Sequence, residues 1–506
     1  MIYKHLFFLA CFFSSFIIFS QEIHKGDIIK DRQFLIDKTE ITASDKHGNF
    51  VSIRPHRING TLRDYYVEFF ENLNFTERIK IETYNDTDIL DVFILNEKAY
   101  IFIKEKVDRT ISLRMDIVDL KSKTKSEKLL YQTTKEDNSA IYEALDDNYN
   151  ISLDYSSDIV LSFPVFDKKN NYVVAKLFSR DFENESENIL KVINVEGFKD
   201  IIFLNLKIFN KKFYTLLEIK TNSSETFYKL IEHDNGKQKS IEIPTSIDTY
   251  ELIISKIDKE QYYISGLYSY HKNGGFDGFT YYRIDLNTLT IQSNKQSAFL
   301  DIRAKKYFNG FFKSDRNIDI NKIFIDTNQN AYIVGQFYEI QRQYVPLGIA
   351  FGTVVIGGVV SYITINPISA TYKTYDDLLI AKINVDGNLE WDNLLELKET
   401  EEASSKSNKR DTSTFSFFMN DQLNIFLNGY IDIEKDKLIV KQNKRLSKTN
   451  FYNIIINPHG GIMPSELFSN EDSEILFRAE NTFKSENDIY ILGQGNMRKQ
   501  LLKMRL

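Results

Sequence analysis

Short apolar runs separated by polar turns recur along the chain of 506 residues. The clearest case spans residues 321–397, where an apolar run at 323–325 meets a polar turn at 327–330 and a second run follows at 331–335. After a long insertion the pattern resumes at 377–391. Short runs rich in β-branched and aromatic residues, joined by Asx or Gly turns, are typical of antiparallel strands. The pattern therefore predicts a four-stranded antiparallel unit.

Copies of this unit occur along the whole chain, and each contains one strand that begins near an aromatic residue. The aromatic residues that mark the eight copies are Phe50, Tyr100, Tyr172, Phe213, Tyr263, Tyr332, Phe426 and Tyr490. Four of these strands end in a glycine, at Gly266, Gly335, Gly429 and Gly493. We expect glycine there because neighbouring sheets approach closely and a Cβ would clash.

The repetition predicts one closed array, because a single sheet of this kind cannot bury its own apolar faces. The spacing is uneven: 72 residues separate Tyr100 from Tyr172, but only 41 separate Tyr172 from Phe213. The predicted fold is therefore an all-β β-propeller of seven or eight four-stranded blades. Only one strand follows Tyr490, so we expect an N-terminal strand near residues 28–36 to complete the last blade and remove its exposed edge.

Residues 326–335 followed by 377–387 resemble the β-propeller repeat of secreted bacterial proteins. That repeat reads D-x-x-G-N-x-Y-V-x-G and then D-x-[FL]-[VI]-x-K-[LI]-[ND]-x-x-G. Residues 274–279 match it in part, and the N-terminal half matches loosely. The resemblance implies a β-propeller fold and an exported location. Because the functions within this family are mixed, it carries over no catalytic residue.

The first twenty residues have the composition of a secretory signal peptide. Lys4 and His5 form a short polar segment, residues 6–19 are almost all apolar, and a cleavage site follows Ser20. The segment would then be removed, which leaves residues 21–506 as a single propeller domain in the periplasm, on the outer surface or outside the cell. An uncleaved membrane anchor is one alternative, and lipidation at Cys11 is another. Cys11 is the only cysteine, so the mature chain would contain no disulfide or thiolate metal site.

The composition is that of an ordinary globular protein, with 42% hydrophobic and 27% charged residues. The net charge of −7 argues against a general nucleic-acid-binding protein, because contacts with phosphates require a basic surface. We expect a monomer that does not bind nucleic acid.

An insertion at residues 343–372 contains no charged residue and interrupts one predicted blade. Its length would suffice for a membrane span. We prefer a hairpin or short helix that packs against the propeller, because a single crossing would separate two strands that must pair. An exposed apolar patch of this size would bind a protein or glycan partner, or touch a membrane peripherally through residues 345–365. The candidate interaction surface consists of Val345, Leu347, Ile349, Phe351, Val355, Ile356, Val360 and Tyr362.

The sequence contains no motif for a catalytic centre, a metal site or a cofactor. The histidines after the leader do not form H-x-x-x-H or H-E-x-x-H pairs, and there is no P-loop or G-x-S-x-G motif. Asp45, Asp326 and Asp386 occupy predicted turns, where an Asx side chain accepts hydrogen bonds from its own backbone. Trp391 is interpreted as a strand anchor, with sugar stacking as the alternative. We therefore expect no cofactor and no metal.

Three functions remain open. The leading hypothesis is an exported non-enzymatic propeller that acts as a binding or scaffold module at the cell envelope. The alternative is a glycan-active or other hydrolase that uses carboxylates at the propeller channel. The third is a membrane-tethered protein that retains the leader or inserts the apolar stretch.

Overall fold

The computed structural model describes residues 22–30, 41–58, 62–83, 86–146, 151–154, 158–166, 171–179, 182, 184–192, 198–222, 226–245, 250–270, 275–309, 316–345, 355–356, 359–360, 368–397, 399–403, 414–434, 437–441, 449–471, 473–485, 488–495 and 498–505. Over these residues the fold is all-β, with eight antiparallel sheets that are the blades of a β-propeller. The predicted fold class is confirmed, and the blade count is eight.

The N-terminal strands precede two regular blades. Strands β1 (Glu22–Lys25) and β2 (Ile29–Lys30) come first. Blade 1 contains β3 (Ile41–Ser44), β4 (Asn49–Ile58), β5 (Leu62–Glu71) and β6 (Asn74–Ile81). Blade 2 contains β7 (Thr87–Leu95), β8 (Lys98–Val107), β9 (Thr110–Asp119) and β10 (Lys125–Thr134).

Helix α1 (Ser139–Asp146) leads into three further blades. Blade 3 contains β11 (Ser152–Asp154), β12 (Ile159–Phe166), β13 (Asn171–Phe178) and β14 (Glu185–Lys191). Blade 4 contains β15 (Phe198–Phe209), β16 (Lys212–Thr221), β17 (Thr226–Asp234) and β18 (Lys237–Pro244). Blade 5 contains β19 (Tyr250–Asp258), β20 (Gln261–Ser269), β21 (Gly278–Asp285) and β22 (Thr290–Ala298).

Blades 6 and 7 carry additional strands. After helix α2 (Ile302–Asn309), blade 6 contains β23 (Arg316–Ile325), β24 (Ala331–Val345), β27 (Ile368–Ile383) and β28 (Leu389–Leu395). The short strands β25 (Val355–Ile356) and β26 (Val359–Val360) pair with each other, and β29 (Glu399–Ala403) pairs with β27. Blade 7 contains β30 (Phe415–Met419), β31 (Gln422–Glu434), β33 (Asn450–Ile456) and β34 (Ile462–Ser469), with β32 (Lys437–Lys441) paired to β31.

Blade 8 is completed by both ends of the chain. After a 3₁₀ turn at Ala479–Asn481, it contains β35 (Thr482–Ser485), β36 (Asp488–Gly495) and β37 (Arg498–Arg505), and both β1 and β2 pair with β37. The predicted closure is confirmed. The predicted position near residues 28–36 is confirmed at β2, and β1 adds an earlier strand that was not predicted. The pairs run from Glu22↔Arg505 to Lys25↔Leu502 and continue at Ile29↔Lys499. An outer strand needs only backbone pairing, so the polar sequence of β1 suffices.

Contacts divide the chain into two compact units. Unit 1 contains the described residues of Met1–Lys106, Leu113–Leu130 and Ser473–Leu506, and unit 2 contains those of Val107–Ser112 and Tyr131–Asp472. Unit 1 holds blades 8 and 1 and most of blade 2, whereas unit 2 holds blades 3 to 7.

Within each unit, the apolar core lies between successive blades. In unit 1 one buried cluster joins blade 8 to blade 1, and another joins blade 1 to blade 2. In unit 2 four clusters join each blade to the next, from blade 3 through blade 7. The arrangement agrees with the reason for predicting a repeat, since each sheet covers its apolar faces with its neighbours.

Seven of the eight aromatic markers lie on the second strand of their blade, as a repeating unit requires. Tyr172 is the exception, because it lies on β13, the third strand of blade 3. The second strand of that blade begins with Ile159 and Val160 and has no leading aromatic residue. This explains the uneven spacing of the markers.

The reason predicted for glycine in these strands is wrong at Gly266 and Gly493. A Cβ on Gly266 would overlap the carbonyl oxygen of Leu252, which lies on β19 of the same blade. A Cβ on Gly493 would lie 2.6 Å from side-chain atoms of Ile475 and Phe477, in the segment that precedes β35. These glycines permit close approach within a blade, and not between blades.

Candidate functional site

The predicted interaction surface follows a long hairpin of blade 6. Val345 is the last residue of β24, and Val355, Ile356 and Val360 lie in the short paired strands β25 and β26. The other predicted surface residues, Leu347, Ile349, Phe351 and Tyr362, lie outside the described residues. Whether the eight side chains form one surface therefore stays a prediction.

The strands that lead to this insertion are longer than those of a regular blade. β24 has 15 residues and β27 has 16, compared with 9 and 8 for the corresponding strands β20 and β21 of blade 5. After an irregularity in register, pairing continues from Tyr338↔Tyr375 to Val345↔Ile368. We call this part, residues 338–345 with 368–375, the arm. At about 3.3 Å per residue, its eight pairs extend the blade by about 25 Å.

The arm also fixes how the chain enters and leaves the insertion. Val345 and Ile368 are directly paired, and β29 adds a third strand through the pairs Thr371↔Ala403 to Tyr375↔Glu399. A segment whose ends are neighbours in one ladder returns to the side from which it started. No helix in the described part of the chain has the length and apolar composition that a membrane span requires.

A second candidate site is a pocket of about 480 Å³ in unit 1, which we call the closure pocket. Its lining residues are Glu22, His24, Lys25, Gly48, Asn72, Leu73, Tyr490, Lys503 and Arg505. Strands β1, β36 and β37 of blade 8 form one wall, and the β3–β4 and β5–β6 turns of blade 1 form the other. Sequence analysis missed this pocket because its residues come from three distant stretches that meet only when the blade closes.

Strand register explains why the charged residues share one wall. Glu22 pairs with Arg505, which pairs in turn with Asp488, and His24 pairs with Lys503, which pairs with Tyr490. Alternate residues of a strand point to the same face, so these two rows lie on one face of blade 8. Deeper on that face, Leu492 and Leu501 pack with Phe50 and Phe70 of blade 1. The pocket is therefore the polar end of an otherwise apolar contact between two blades.

The opposite wall is formed by backbone in the left-handed region. Gly48 has φ +87°, and Asn72 and Leu73 have φ of 47° and 72°, as a tight turn between twisted strands requires. A Cβ on Gly48 would lie 3.6 Å from Asn72 Oδ1 and 3.9 Å from the Tyr490 hydroxyl. A longer side chain at this position would therefore occupy the pocket.

Ion pairs fix the cationic side chains of the closure pocket. Lys503 Nζ lies 2.7 Å from Asp488 Oδ2, and Arg505 Nη2 lies 3.1 Å from Asp488 Oδ1. Burial alone would raise the pKa of Asp488, but the hydrogen bonds and charges of Lys503 and Arg505 outweigh it and lower that pKa. Burial alone would lower the pKa of Lys503, and its hydrogen bond with Asp488 outweighs this effect. Both groups are therefore charged at neutral pH.

Blade 2 contains a cluster of buried carboxyl groups around Arg114. The Arg114 guanidinium lies 3.1 Å from Glu105 Oε1 and 3.6 Å from Asp116 Oδ1, and Lys125 Nζ lies 3.0 Å from Asp116 Oδ2. Burial raises the pKa of Glu105 and Asp116 despite these cations. Because the carboxyl groups are buried beside cationic partners, we interpret the cluster as structural.

Blade 5 contains another buried carboxyl group, Glu251 on β19. It accepts hydrogen bonds from Thr280 Oγ1 at 2.9 Å, Tyr282 Oη at 2.9 Å and Gln296 Nε2 at 3.0 Å. Burial raises the pKa of Glu251, and these donors lower it in part. A carboxyl group with this many internal donors has a structural role.

The histidines within the described residues do not converge on a metal site. No group of three or more His, Cys, Asp or Glu side chains among the described residues could hold a metal ion. His233 is buried and contacts Thr215 Oγ1 and Gln238 Nε2, each at 3.2 Å, and burial lowers its pKa to about 4. His459 is exposed, and its backbone N–H donates to Asn457 Oδ1. The side chain of His56 and the whole of His271 lie outside the described residues.

Two of the three predicted Asx turns are confirmed. Asp45 Oδ1 accepts from the backbone of His47 and Asn49, and Asp326 Oδ1 accepts from the backbone of Asn328 and Asn330. The assignment of Asp386 is wrong, because Asn384 Oδ1 is the acceptor in that turn and the Asp386 N–H is one of its donors. The turn has the predicted type, but its Asx residue lies two positions before Asp386.

Trp391 has the predicted role of a strand anchor. Its indole N–H donates to the carbonyl oxygen of Pro458 at 3.0 Å, and its ring meets that of Tyr332 edge to face at 6.0 Å. Gly460 lies against the indole, since a Cβ there would lie 2.9 Å from a ring carbon. The residue joins blade 6 to the β33–β34 turn of blade 7.

Comparison with known proteins assigns no family to the chain. No family model matches the chain, and no curated protein matches it in sequence. Membership of the secreted bacterial repeat family therefore stays a prediction.

Solved structures that match the chain come from diverse proteins. The WD40 domain of SCAP from fission yeast is 8% identical, with a TM-score of 0.36, and the match covers 96% of this chain and 94% of that one. The polysaccharide lyase Uly1 is 10% identical, with a TM-score of 0.39 and coverage of 82% and 89%. The propeller domain of the Trilobed protease from Pyrococcus furiosus is 10% identical, with a TM-score of 0.36 and coverage of 86% and 98%. At such low identity and TM-score, none of these proteins carries an argument about activity.

Proposed function

We propose that this chain is an exported, non-enzymatic β-propeller that acts as a binding or scaffold module at the cell envelope. The observation that carries the proposal is the arm, which makes the second and third strands of blade 6 much longer than those of blade 5. Blade 5 forms its core contacts with second and third strands of 9 and 8 residues. The extra length of β24 and β27 therefore serves something other than the blade core.

The sequence at the end of the arm supports a contact surface. Residues 343–372 contain no charged side chain, although charged residues make up 27% of the whole chain. A contiguous apolar segment on the outside of a protein marks a contact with a partner or a membrane surface. The predicted leader at residues 1–20 supports an envelope or extracellular location.

The described carboxyl groups favour binding over hydrolysis. Glycoside hydrolysis requires two carboxyl groups on either side of a substrate, about 5–10 Å apart. The closure pocket has one carboxylate in its lining, Glu22, which pairs with His24 at 2.9 Å. The buried carboxyl groups Glu105, Asp116 and Glu251 are engaged by internal partners.

The test removes the insertion and keeps the arm. In one variant, residues 346–367 are replaced by Asn-Gly, a two-residue turn suited to joining the paired residues Val345 and Ile368. In the control, Asn-Gly replaces residues 435–436 between the paired Glu434 and Lys437, which is another hairpin outside the blade core.

We expect both variants to fold, as judged by circular dichroism and thermal melting, and only the first to lose association with cell-envelope fractions. Association that persists in the folded deletion variant would refute the proposal. If the folded deletion variant stays on membranes and is extracted by detergent but not by salt, the result would instead support a membrane tether elsewhere in the chain.

A further inference from the structure

We propose that the closure pocket binds a neutral molecule through a planar aromatic ring, which takes the place that an indole side chain fills between blades 6 and 7. The pocket lies in unit 1, whereas the arm belongs to unit 2. The proposal therefore goes beyond the function inferred for the arm, and either can fail without the other.

The wall that blade 8 contributes to the pocket repeats a wall of blade 6. Each wall contains a row of three directly paired residues, which are a tyrosine on the second strand, a lysine on the third strand and one residue of the outer strand. The rows are Tyr332, Lys382 and Trp391 in blade 6 and Tyr490, Lys503 and His24 in blade 8. In both rows the lysine Nζ lies 5.7 Å from the centre of the tyrosine ring. His24 therefore occupies the position that Trp391 occupies in blade 6.

A turn of blade 7 covers this position in blade 6. The β33–β34 turn has five residues, 457–461. The carbonyl oxygen of Pro458 in this turn accepts hydrogen bonds from Trp391 Nε1 at 3.0 Å and from Lys382 Nζ at 3.2 Å. The indole meets the Tyr332 ring edge to face at 6.0 Å, and Gly460 lies against it. The contact between blades 6 and 7 is therefore filled by a ring and closed by backbone.

Blade 5 fills the same position with a small side chain and a closer turn. Ser293 on its outer strand pairs with Arg283, which pairs with Tyr263. The β27–β28 turn of blade 6 also has five residues, 384–388. Ser293 Oγ donates to the carbonyl oxygen of Asp386 at 2.9 Å, and a Cβ on Gly387 would lie 2.5 Å from Ser293 Oγ. A long turn thus reaches the outer strand of the preceding blade in both cases.

Blade 1 leaves the position open in blade 8, because its turn is shorter. The β5–β6 turn consists of two residues, Asn72 and Leu73. The side chain of His24 is 53% exposed and lies 2.9 Å from Glu22. The space beside Tyr490 is therefore filled neither by an indole nor by a five-residue turn, and a pocket of about 480 Å³ results. This volume lies within the usual range for small-molecule pockets, about 300–1,000 Å³.

The charges of the pocket favour a neutral ligand. Two permanent cations, Lys503 and Arg505, are balanced by the carboxylates of Asp488 and Glu22. An aromatic ring needs no countercharge, and its face attracts ammonium and guanidinium groups. An edge-to-face contact with Tyr490 would add to this attraction, as aromatic pairs do. A ring in the pocket would therefore reproduce the surroundings of the indole in blade 6.

The experiment uses the purified protein and three neutral probes. N-acetyltryptophanamide carries an indole and two carbonyl groups, indole carries the ring alone, and N-acetylleucinamide is the control without a ring. Each probe is titrated to about 10 mM, which is beyond the weak end of specific small-molecule affinity. Binding is measured by calorimetry and as a saturable rise in melting temperature, because a ligand that binds only the folded state stabilises it.

One pair of variants fills the pocket from blade 8. His24→Trp places an indole where blade 6 has Trp391. Lys25→Trp is its matched control, because Lys25 lies on the same strand and its Nζ lies 5.7 Å from the Phe477 ring, on the opposite face of blade 8. Trp391 is the only tryptophan of the parent protein, so the added indole is followed by fluorescence and acrylamide quenching after subtraction of the parent signal.

A second pair of variants fills the pocket from blade 1. A Cβ on Gly48 would lie 3.9 Å from the Tyr490 hydroxyl, and Gly48→Asn introduces a residue that tolerates the left-handed region. Gly236→Asn is its control, because Gly236 has φ +77° in a turn with open space around it.

We expect N-acetyltryptophanamide to bind saturably to the parent protein and equally to both controls, and at least fivefold more weakly to His24→Trp and Gly48→Asn. The added indole of His24→Trp should be shielded from acrylamide, unlike that of Lys25→Trp. Binding of indole as well would support the proposal and show that the ring suffices.

Three results would overturn the proposal. They are the absence of saturable binding by both aromatic probes, equal binding of N-acetylleucinamide, and unchanged binding of N-acetyltryptophanamide in a folded His24→Trp variant. Equal quenching of the two added indoles would also contradict it, since His24 would then not occupy the place of Trp391.

Discussion

Lys499 and Glu68 form a fully buried ion pair between the last strand of blade 8 and the third strand of blade 1. Glu68 also accepts a hydrogen bond from Arg78 Nε at 2.9 Å, and Lys499 Nζ lies 5.9 Å from the centre of the Phe70 ring. Because desolvation costs as much as the pair gains, such a pair specifies position more than it adds stability. Lys499 and Glu68 therefore help to position blade 8 against blade 1.

Removal of one partner of this ion pair should destabilise the folded protein more than removal of both. We expect Lys499→Met to lower the free energy of unfolding by about 3 kcal/mol, since it removes the buried cation that faces the buried Glu68 carboxylate. The double variant Lys499→Met/Glu68→Leu should recover part of this loss, because Arg78 is partly exposed and can reach solvent. Urea titration provides the measurement.

The control for this ion pair is Arg109→Gln. Arg109 pairs with Glu136 at the surface, where the side chains are 77% and 56% exposed, so we expect a much smaller loss than in Lys499→Met. A loss in Lys499→Met no greater than that of the control would contradict the assignment of a buried pair.

His233 should make the fold sensitive to mild acid. Gln238 Nε2 can only donate, so His233 Nδ1 is the acceptor and Nε2–H donates to Thr215 Oγ1, which is the neutral tautomer. The pKa of His233 is about 4 in the folded protein and 6.5 in the unfolded chain. The unfolded chain therefore binds the extra proton first, and stability that is present above pH 6.5 is lost as the pH falls toward 4. The loss amounts to about 3 kcal/mol.

This pH dependence is tested by urea titration between pH 7 and pH 4. We expect His233→Gln to flatten the change in unfolding free energy across that range, whereas the exposed His459→Gln should behave as the parent protein does. The same slope in the parent and in His233→Gln would show that another group is responsible.

At the scale of single elements, the second and third strands of each blade are the most constrained, because each has a neighbouring strand on both edges. Gly266 shows this clearly. It pairs with Ile253 on β19 and with Thr280 on β21, and a Cβ there would overlap the carbonyl oxygen of Leu252. The backbone at Leu252 cannot move away without breaking the hydrogen bonds between β19 and β20.

We therefore expect Gly266→Ala to cost more than about 4 kcal/mol, which is exceptional for a single substitution. Gly236→Ala is the control, because Gly236 has φ +77° with open space around it, and the left-handed conformation alone costs about 1 kcal/mol. Both losses are measured by thermal and urea unfolding. Equal losses would mean that backbone strain, and not the contact with β19, explains the glycine.

The elements that the sequence predicted are those with a strong local signal. Seven aromatic markers identify second strands because an aromatic residue at that place fills the contact between blades, as Phe50 and Tyr490 do at 5.9 Å. The second strand of blade 3 was not recognised, because it begins with Ile159 and Val160, which have no aromatic ring.

Strand β1 could not be located from the sequence, because Glu-Ile-His-Lys carries no strong strand pattern and an outer strand requires only backbone pairing. The closure pocket was beyond sequence reasoning for the same reason. Its charges become neighbours through the register of β1 on β37, which no local pattern specifies.

For the whole molecule, eight similar sheets explain how a chain of this length folds without disulfides. Each sheet leaves apolar faces that the next sheet covers, as the clusters within unit 1 and within unit 2 show. The scheme requires that the final blade also be completed, since an open edge would pair with other chains. Pairing of β1 with β37 meets this requirement, and completion of blade 8 therefore depends on it.

The most direct test of that pairing is a disulfide between the two ends of the chain. Residues 21–506 contain no cysteine, so Ile23→Cys/Met504→Cys places the only two thiols at a paired position, where the Cα separation of an antiparallel pair suits a disulfide. In His24→Cys/Met504→Cys the side chains point to opposite faces. We predict that only the first variant forms the bond on mild oxidation, seen as faster migration on a non-reducing gel and a higher melting temperature. Equal oxidation of both variants, or of neither, would contradict closure by β1.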